Sequence, residues 1–450
     1  MNKSVHILIF LIILATLSPL AHPREAQTNV IVISVDTLRA DRLGCYGYPR
    51  NTSPNLDGLA EDGTVYSHCY TLIPLTGPSF STMLTSLPEY KHGAKRNGLS
   101  IYNHVETLPM LLKKKNYYNG GIISNWPLRQ KLSDLHRGFD DYLEIFTKKR
   151  WLGIMQPEGK APDVTAAAIQ WLEKNRTKPF FLWVHYSEPH APYLKHKGFD
   201  FGKKRAPEKF YPPGMQKRKS DHYDSEVGFT DHHIGVLIDK LKEWNLYRDS
   251  LIMFNSDHGE SLGEHNYVGH GRRVYNSMMH VPLIVKRPGN HRENKIDKRN
   301  CTLMDVAPTI LASLDMDIPQ YMEGKNLLDN SESLYPLVFM ETYKGAVKGQ
   351  RSVKFQLKVK PLSYAVVKGN AKVIYTPKSR KFEAYNLQRD PFENINLYYK
   401  SKNNFVELQD TLKQHMATVK KYIQEGLKKY KQKSQLSKED QENLKTLGYL

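Results

Sequence analysis

Three short apolar runs in this chain each end in side chains that can bind a metal ion or an anion. Asn29–Val35 reads NVIVISV and stops at Asp36. Phe180–His185 runs into Ser-Glu-Pro-His190, and Leu251–Phe254 runs through Asn-Ser to Asp257-His258. Val281–Lys286 reads as a fourth strand, and helical spacing covers Val105–Lys115, Asp163–Lys174 and Glu226–Trp244. Apolar strands alternating with amphipathic helices predict a mostly parallel sheet sandwiched by helices. Ligands of such sheets collect beyond the carboxyl ends of the strands. That rule aims Asp36, His190, Asp257 and His258 at one edge.

The texture changes near Asn330. Leu357–Lys360, Tyr364–Lys368 and Lys372–Thr376 alternate like short antiparallel strands, with a turn at Gly369-Asn370. A long basic amphipathic helix is expected over Asn404–Lys433. The chain of 450 residues therefore divides into an α/β unit over 27–330 and a small C-terminal antiparallel α+β subdomain over 331–450. Residues 1–26 begin MNKSVH and continue with the apolar run Ile7–Leu17. They read as a secretory signal or an uncleaved N-terminal anchor, which places the protein outside the cytoplasm, secreted or periplasmic. No later stretch is long and apolar enough for a transmembrane helix.

Three cysteines make no disulfide framework and no thiolate zinc signature. The net charge of +19 points to an anionic partner. Basic residues crowd Lys195–Lys219 and Lys413–Lys433. The first crowd follows EPHAPY directly and is expected to lie over the mouth of the site. Nucleic acid is not expected, because no binding motif is present and the start is secretory.

Asp36, Asp257 and His258 form a mixed oxygen and nitrogen ligand set for one divalent metal ion. The imidazole shifts preference from calcium or magnesium toward zinc or manganese. The segment Ile73–Leu87, IPLTGPSFSTMLTSL, puts Thr76 just before a helix, with Pro78 suited to the first helical position. Free N–H groups and the positive dipole end make that spot an anion site. A metal beside Thr76 would activate its hydroxyl as a nucleophile. A plain helix cap explains the same residue, and both readings stay open here. His190 can donate to an anionic ester or protonate its leaving oxygen. His265 and His270 in GEHNYVGHG suit a site wall. Arg39 and Asp41 are expected to pair locally, and within Asp231-His232-His233 one side chain is expected to face the core.

With these residues in place, the chain resembles the sulfatases of the alkaline phosphatase superfamily over nearly its whole length. IVISVDTLRADRLGCYGY is similar to the family's first metal strand, and TGPSFSTMLTSLPEYKHG lies over its nucleophile motif. HRGFDDY, PFFLWVHYSEPHAPY, SDHGESLGEH, HVPLIV, MDVAPTILASL and EAYNLQRDPFENINLY follow in the family's order. The resemblance implies hydrolysis of sulfate or related esters at a metal site, with Thr76, His190 and His270 contacting the ester. The departures are specific. The family's Cys or Ser, converted to formylglycine, is Thr76, which cannot become that aldehyde, so no formylglycine is expected. The motif's Arg is Phe80, the second paired Asp is Thr37, and a Lys and a His are replaced by Asn125 and Pro127. The family's later Lys falls near His270. Thr76 moves the expected chemistry toward phosphate or phosphonate esters, carried on a glycan or lipid headgroup. A phosphoryl-headgroup transferase of the cell envelope and a non-catalytic binder of sulfated or phosphorylated glycans are the alternatives.

Overall fold

The computed structural model describes residues 27–433 apart from 147–149, 152–153, 156–157, 203–205, 290–291, 330–335 and 348–350. The signal or anchor read over 1–26 lies outside the described residues. Among those described, no helix is long and apolar enough to cross a membrane.

Eight strands form the central sheet: β1 Val30–Val35, β2 Thr64–Tyr70, β3 Tyr118–Ile123, β4 Asp141–Glu144, β5 Phe180–Tyr186, β6 Leu251–Ser256, β7 Leu283–Lys286 and β8 Lys295–Thr302. Their order is β8-β2-β7-β6-β1-β5-β3-β4, and β7 alone runs antiparallel to its neighbours. β1 sits between β5 and β6, so every one of its residues is buried. Side chains of a strand alternate between faces. Ile31, Ile33 and Val35 join one core with helices α1 (Pro54–Glu61), α3 (Ala161–Asn175) and α4 (Lys217–Glu243). Val30 and Val32 join the other, with α2 (Thr76–Thr85) and α5 (Val306–Ser313). The expected sandwich is the observed one. Strands β2, β3, β4 and β8 were not legible, since polar residues such as Ser67, His68 and Asn119 interrupt them.

Four antiparallel strands make the C-terminal sheet, in the order β9 (Val338–Thr342), β10 (Ser363–Lys368), β11 (Ala371–Thr376) and β12 (Lys381–Asn386). The strand expected at Leu357–Lys360 is instead part of a helical turn, Val353–Lys358. Ser352 caps that turn by accepting from Phe355 N, and Leu357 is buried against Gly426. One face of this sheet, with Ala365 and Val367, packs on Tyr70, Leu72 and Met279 of the larger unit. The other face, with Val366 and Val373, is covered by Leu408 and Leu412 of α6 (Val406–Lys433). A buried Lys372–Glu393 pair at 2.7 Å ties the sheet to Asn276, whose N–H donates to Glu393.

The junction also buries two carboxyls. Glu89 and Glu341 are buried close to each other, and the Tyr343 hydroxyl donates to Glu341. His415 on α6 lies 3.6 Å from Glu341, and Lys95 is buried nearby with no hydrogen-bond partner on Nζ. Burial and then the neighbouring Glu341 push Glu89 up to about 8. A carboxyl raised in the folded state keeps its proton where the unfolded chain has lost it. Stability is therefore full below the ordinary glutamate range and falls as pH rises toward about 8. Glu89→Gln is expected to flatten the decline of the thermal midpoint between about pH 5 and 8; an unchanged slope in a differential scanning series would show that the pair does not control it.

Candidate active site

Asp36, Asp257 and His258 lie just past the carboxyl ends of β1 and β6, which are adjacent and parallel. Each offers a ligand atom within 4.8 Å of the others, and all three are buried. Asp257 Oδ1 accepts from the N–H groups of Thr37 at 3.0 Å and His258 at 2.8 Å, which leaves Oδ2 without a partner. Thr37 holds a left-handed conformation, φ 55°, that aims its N–H at this carboxylate. A β-branched residue there is strained. Asp36 Oδ2 accepts from Asn125 Nδ2, and Asp36 Oδ1 has no partner. His258 Nδ1 is 2.9 Å from Gly259 O, so it carries the proton and Nε2 turns its lone pair to the site.

Electrostatics agree with that geometry. Burial, then repulsion from Asp257, raises Asp36 well above the usual aspartate range. Burial raises Asp257 to about 6 and holds His258 well below its ordinary value. Two unit charges about 4 Å apart repel by roughly 4 kcal/mol at an effective dielectric of ~20. Paired buried carboxylates with orphaned oxygens and a neutral imidazole lone pair are a donor set that fits a divalent cation.

Thr76 is buried and is itself the first residue of α2, with Leu75 as the cap position. Pro78 is thus not the first helical residue, as the sequence had predicted. The reason is Asn97, whose Oδ1 accepts from Gly77 N at 2.9 Å and does the work of a side-chain cap. The Thr76 hydroxyl is released from capping and stands 3.5 Å from His258 Nε2. Ser79, one turn on, donates to Asp257 O at 2.7 Å and locks α2 to the strand end. Phe80 packs against Trp183 and His185, ring centroids 5.1 and 5.2 Å away, so it belongs to the core beneath the site.

His190 and His270 complete the cluster. The His270 ring lies 4.4 Å from that of His258 and 5.3 Å from that of His190. His270 Nδ1 is 3.1 Å from Glu260, and His190 Nδ1 is 2.9 Å from Glu158. Burial opposes a charge on His190, but Glu158, Asp36 and Glu260 outweigh it and push His190 up to about 10. All six residues singled out in the sequence are brought to one place. His265 is not part of it, because it stacks on Tyr275 and bonds Phe392 O.

Thr37, Glu158, Glu260 and Asn97 are site residues that sequence reasoning did not select. Glu260 follows the Asp-His pair closely and was readable there; Glu158 and Asn97 sit in segments with no pattern of their own. Arg39 pairs with Asp41 at 2.7 Å as expected, and also with buried Glu264. Asp231 faces inward and accepts from Asn55 and Leu56 N–H groups at the start of α1. In the basic stretch, Leu194 N and His196 N are tied to Glu226 and Ser225 of α4, and Lys195 pairs with Asp200. The end of the stretch, from Lys217, is helix rather than loop.

Residues 28–316 match the family model described as sulfatase, and residues 263–422 match the C-terminal model of N-sulphoglucosamine sulphohydrolase. An arylsulfatase of Clostridium perfringens is 24% identical over 82% of this chain and 90% of its own length. Human iduronate 2-sulfatase is 27% identical over 68% of each chain. The solved phosphonate monoester hydrolase of Agrobacterium radiobacter superposes with a TM-score of 0.70 at 18% identity, over 88% of this chain and 96% of that one. A structure described in complex with its substrate D-glucosamine-2-N,6-O-disulfate superposes with a TM-score of 0.68 at 20% identity, over 89% and 99%. The ordered motifs, the sheet and the family match lead to one conclusion: the chain belongs to the sulfatase family of the alkaline-phosphatase-like superfamily, a family of ester hydrolases.

Proposed function

We propose that this chain is a secreted, metal-dependent hydrolase of anionic esters that uses Thr76 as nucleophile and favours phosphorus over sulfur. The observation that carries the reading is the Thr76 hydroxyl, freed from capping by Asn97 and facing the Asp36, Asp257 and His258 set. Those three residues would hold one divalent ion, with zinc or manganese better suited than calcium or magnesium. When bound, such an ion lowers a hydroxyl pKa and neutralises ester oxygens.

The rest of the chemistry falls to the chain. Thr76 gives up its hydroxyl proton to solvent, and its Oγ1 forms the bond to phosphorus as the bond to the alkoxide breaks; the proton is regained when water displaces Thr76. His190, kept charged by Glu158 and Asp36, gives a proton to the departing oxygen. His270, steadied by Glu260, stands between the other two imidazoles and faces the anion. Water then attacks phosphorus in line, and Thr76 returns as a free hydroxyl. A sulfated threonine has no second hydroxyl on its carbon with which to expel sulfate. That route, open to a formylglycine hydrate, is closed here.

The fold shared with a phosphonate monoester hydrolase supports the phosphorus reading, and relatives named for glycan sulfates support a glycan ester. A panel of matched aryl sulfates, phosphate monoesters, phosphodiesters and phosphonates, run with metal analysis, tests it. Phosphorus esters are expected to lead in kcat/KM by about tenfold or more, a barrier difference of roughly 1.4 kcal/mol. A preference for sulfate overturns the phosphorus claim. No turnover of any class, with metal bound, favours a glycan binder, and transfer to an added alcohol in place of water marks a transferase.

A further inference from the structure

The edge strand β8 is held in the central sheet through β2 alone. The two strands run parallel, and a bulge shifts their register between Asp297 and Asn300. Past the bulge, Asn300 pairs with His68, Cys301 with Cys69 and Thr302 with Tyr70. Cys69 and Cys301 thus stand side by side on neighbouring strands. Residues paired in register point to the same face of a sheet, and both cysteines join one core cluster with Phe80, Met83, Leu303 and Val306. Both are fully buried, and both stand as thiols here. Adjacent strands lie about 4.8 Å apart, inside the Cα separation of roughly 4.4–6.8 Å that a disulfide spans.

The third cysteine does not compete. Cys45 lies in the turn Gly44–Tyr46 and packs on the core of the opposite sheet face. Its N–H donates to Asp57 at 2.7 Å, and burial, then Asp57, pushes its thiol up. The place of the pair matters for the site. β8 runs directly into the turn Leu303–Asp305 and α5, whose Leu303, Val306 and Ile310 back Phe80, Met83 and Leu84 of α2. A covalent tie at Cys301 anchors the support of the helix that presents Thr76.

We propose that Cys69 and Cys301 are a modification site, joined in an oxidising compartment as one disulfide that fastens β8 to β2. The inference rests on the export part of the proposed function, which supplies such a compartment. The thiolate of one cysteine attacks a disulfide oxidant, small-molecule or protein, and the thiolate of the other resolves the mixed disulfide. One S–S bond forms in the chain, the S–S bond of the oxidant is cleaved to two thiols, and the two cysteine protons pass to those sulfurs. Burial seals both sulfurs in the folded chain, so the exchange takes place before β8 docks.

Thiol mapping tests the site. The full chain is produced in a bacterial periplasm on its own first residues, in a second preparation behind a host export signal, and in the reducing cytoplasm as reference. Each sample is denatured in guanidinium with an alkylating reagent and no reductant, then mapped by mass spectrometry. The exported chain is expected to alkylate at Cys45 alone and to yield a linked peptide pair carrying Cys69 and Cys301, whereas the cytoplasmic chain alkylates at all three. Cys69→Ala and Cys301→Ala, exported in the same way, are expected to alkylate at Cys45 and at the remaining partner. Alkylation of all three cysteines in the host-signal preparation overturns the site, and so does a linked pair that contains Cys45. Failure of the export reading shows separately: the chain on its own first residues then stays in the cytoplasmic fraction, while the host-signal preparation still reports on the cysteines.

Discussion

Thr76→Ala is expected to lower kcat on the best ester by roughly 10⁴-fold or more, the scale seen when a covalent nucleophile is removed. The fold has little reason to change. The Thr76 side chain makes one polar contact, the 3.5 Å approach to His258, and Asn97 rather than Thr76 caps the helix. Metal content and thermal midpoint should therefore stay close to the parent. Thr76→Ser keeps a hydroxyl at the same place and is expected to retain at least about a tenth of the activity. Burst kinetics on an activated aryl ester, with mass analysis of the trapped intermediate on Thr76, give an independent readout. Activity in Thr76→Ala within tenfold of the parent would remove Thr76 from the mechanism. The Thr76→Cys variant does not rescue a formylglycine route unless Phe80 also changes. Arginine at position 80 would have to enter the core beside Trp183.

Asp257→Asn is expected to change stability in opposite directions with and without bound metal. The substitution keeps an oxygen that can accept from Thr37 and His258 N–H groups, and it removes one of two buried like charges. Burial raises the folded Asp257 carboxyl to about 6. Below the ordinary aspartate range both folded and unfolded chains hold the proton. As pH rises toward about 6, only the unfolded chain releases it, so the metal-free protein loses stability across that window. At neutral pH the metal-free variant should exceed the metal-free parent by about 2–4 kcal/mol. With saturating metal the order should reverse, because the parent gains by ligand linkage what the variant no longer binds. Thermal midpoints with chelator and with added zinc or manganese measure both arms. Turnover of the variant should fall with its metal content. A parent midpoint that no divalent ion raises would refute the metal assignment.

The legible parts of the sequence were those where one residue pattern allowed one structure. NVIVISV carries one small serine in an otherwise β-branched run and reads as a central strand, and its end fixed Asp36. SDHG at the end of β6 did the same for Asp257 and His258. Strands β4 and β8 close the two edges of the sheet and carry polar residues there, and β2, though paired on both sides, is interrupted by Ser67 and His68, so periodicity lost them. The helical turn at Val353–Lys358 alternates like a strand, and a single Ser352 cap decided otherwise. Side chains that act through tertiary contact left no local trace. Asn97 lies far along the chain from the role it plays at Gly77, and Glu158 reaches His190 from a segment without a pattern.

The central position of β1 has a consequence for how this protein is made. Val30 pairs with Phe181 on one side and Leu251 on the other. β1 thus has no sheet neighbour until Phe180–Tyr186 has been made and no second one until Leu251–Ser256 follows, and loop closure over such spans is slow. Meanwhile a largely apolar strand with two bare edges invites association with other chains. A fragment ending before Leu251 would keep one edge bare permanently and should collect in inclusion bodies. For a chain delivered through a membrane channel, the same delay becomes useful: the segment that enters first cannot lock into a compact body while the remainder is still threading through.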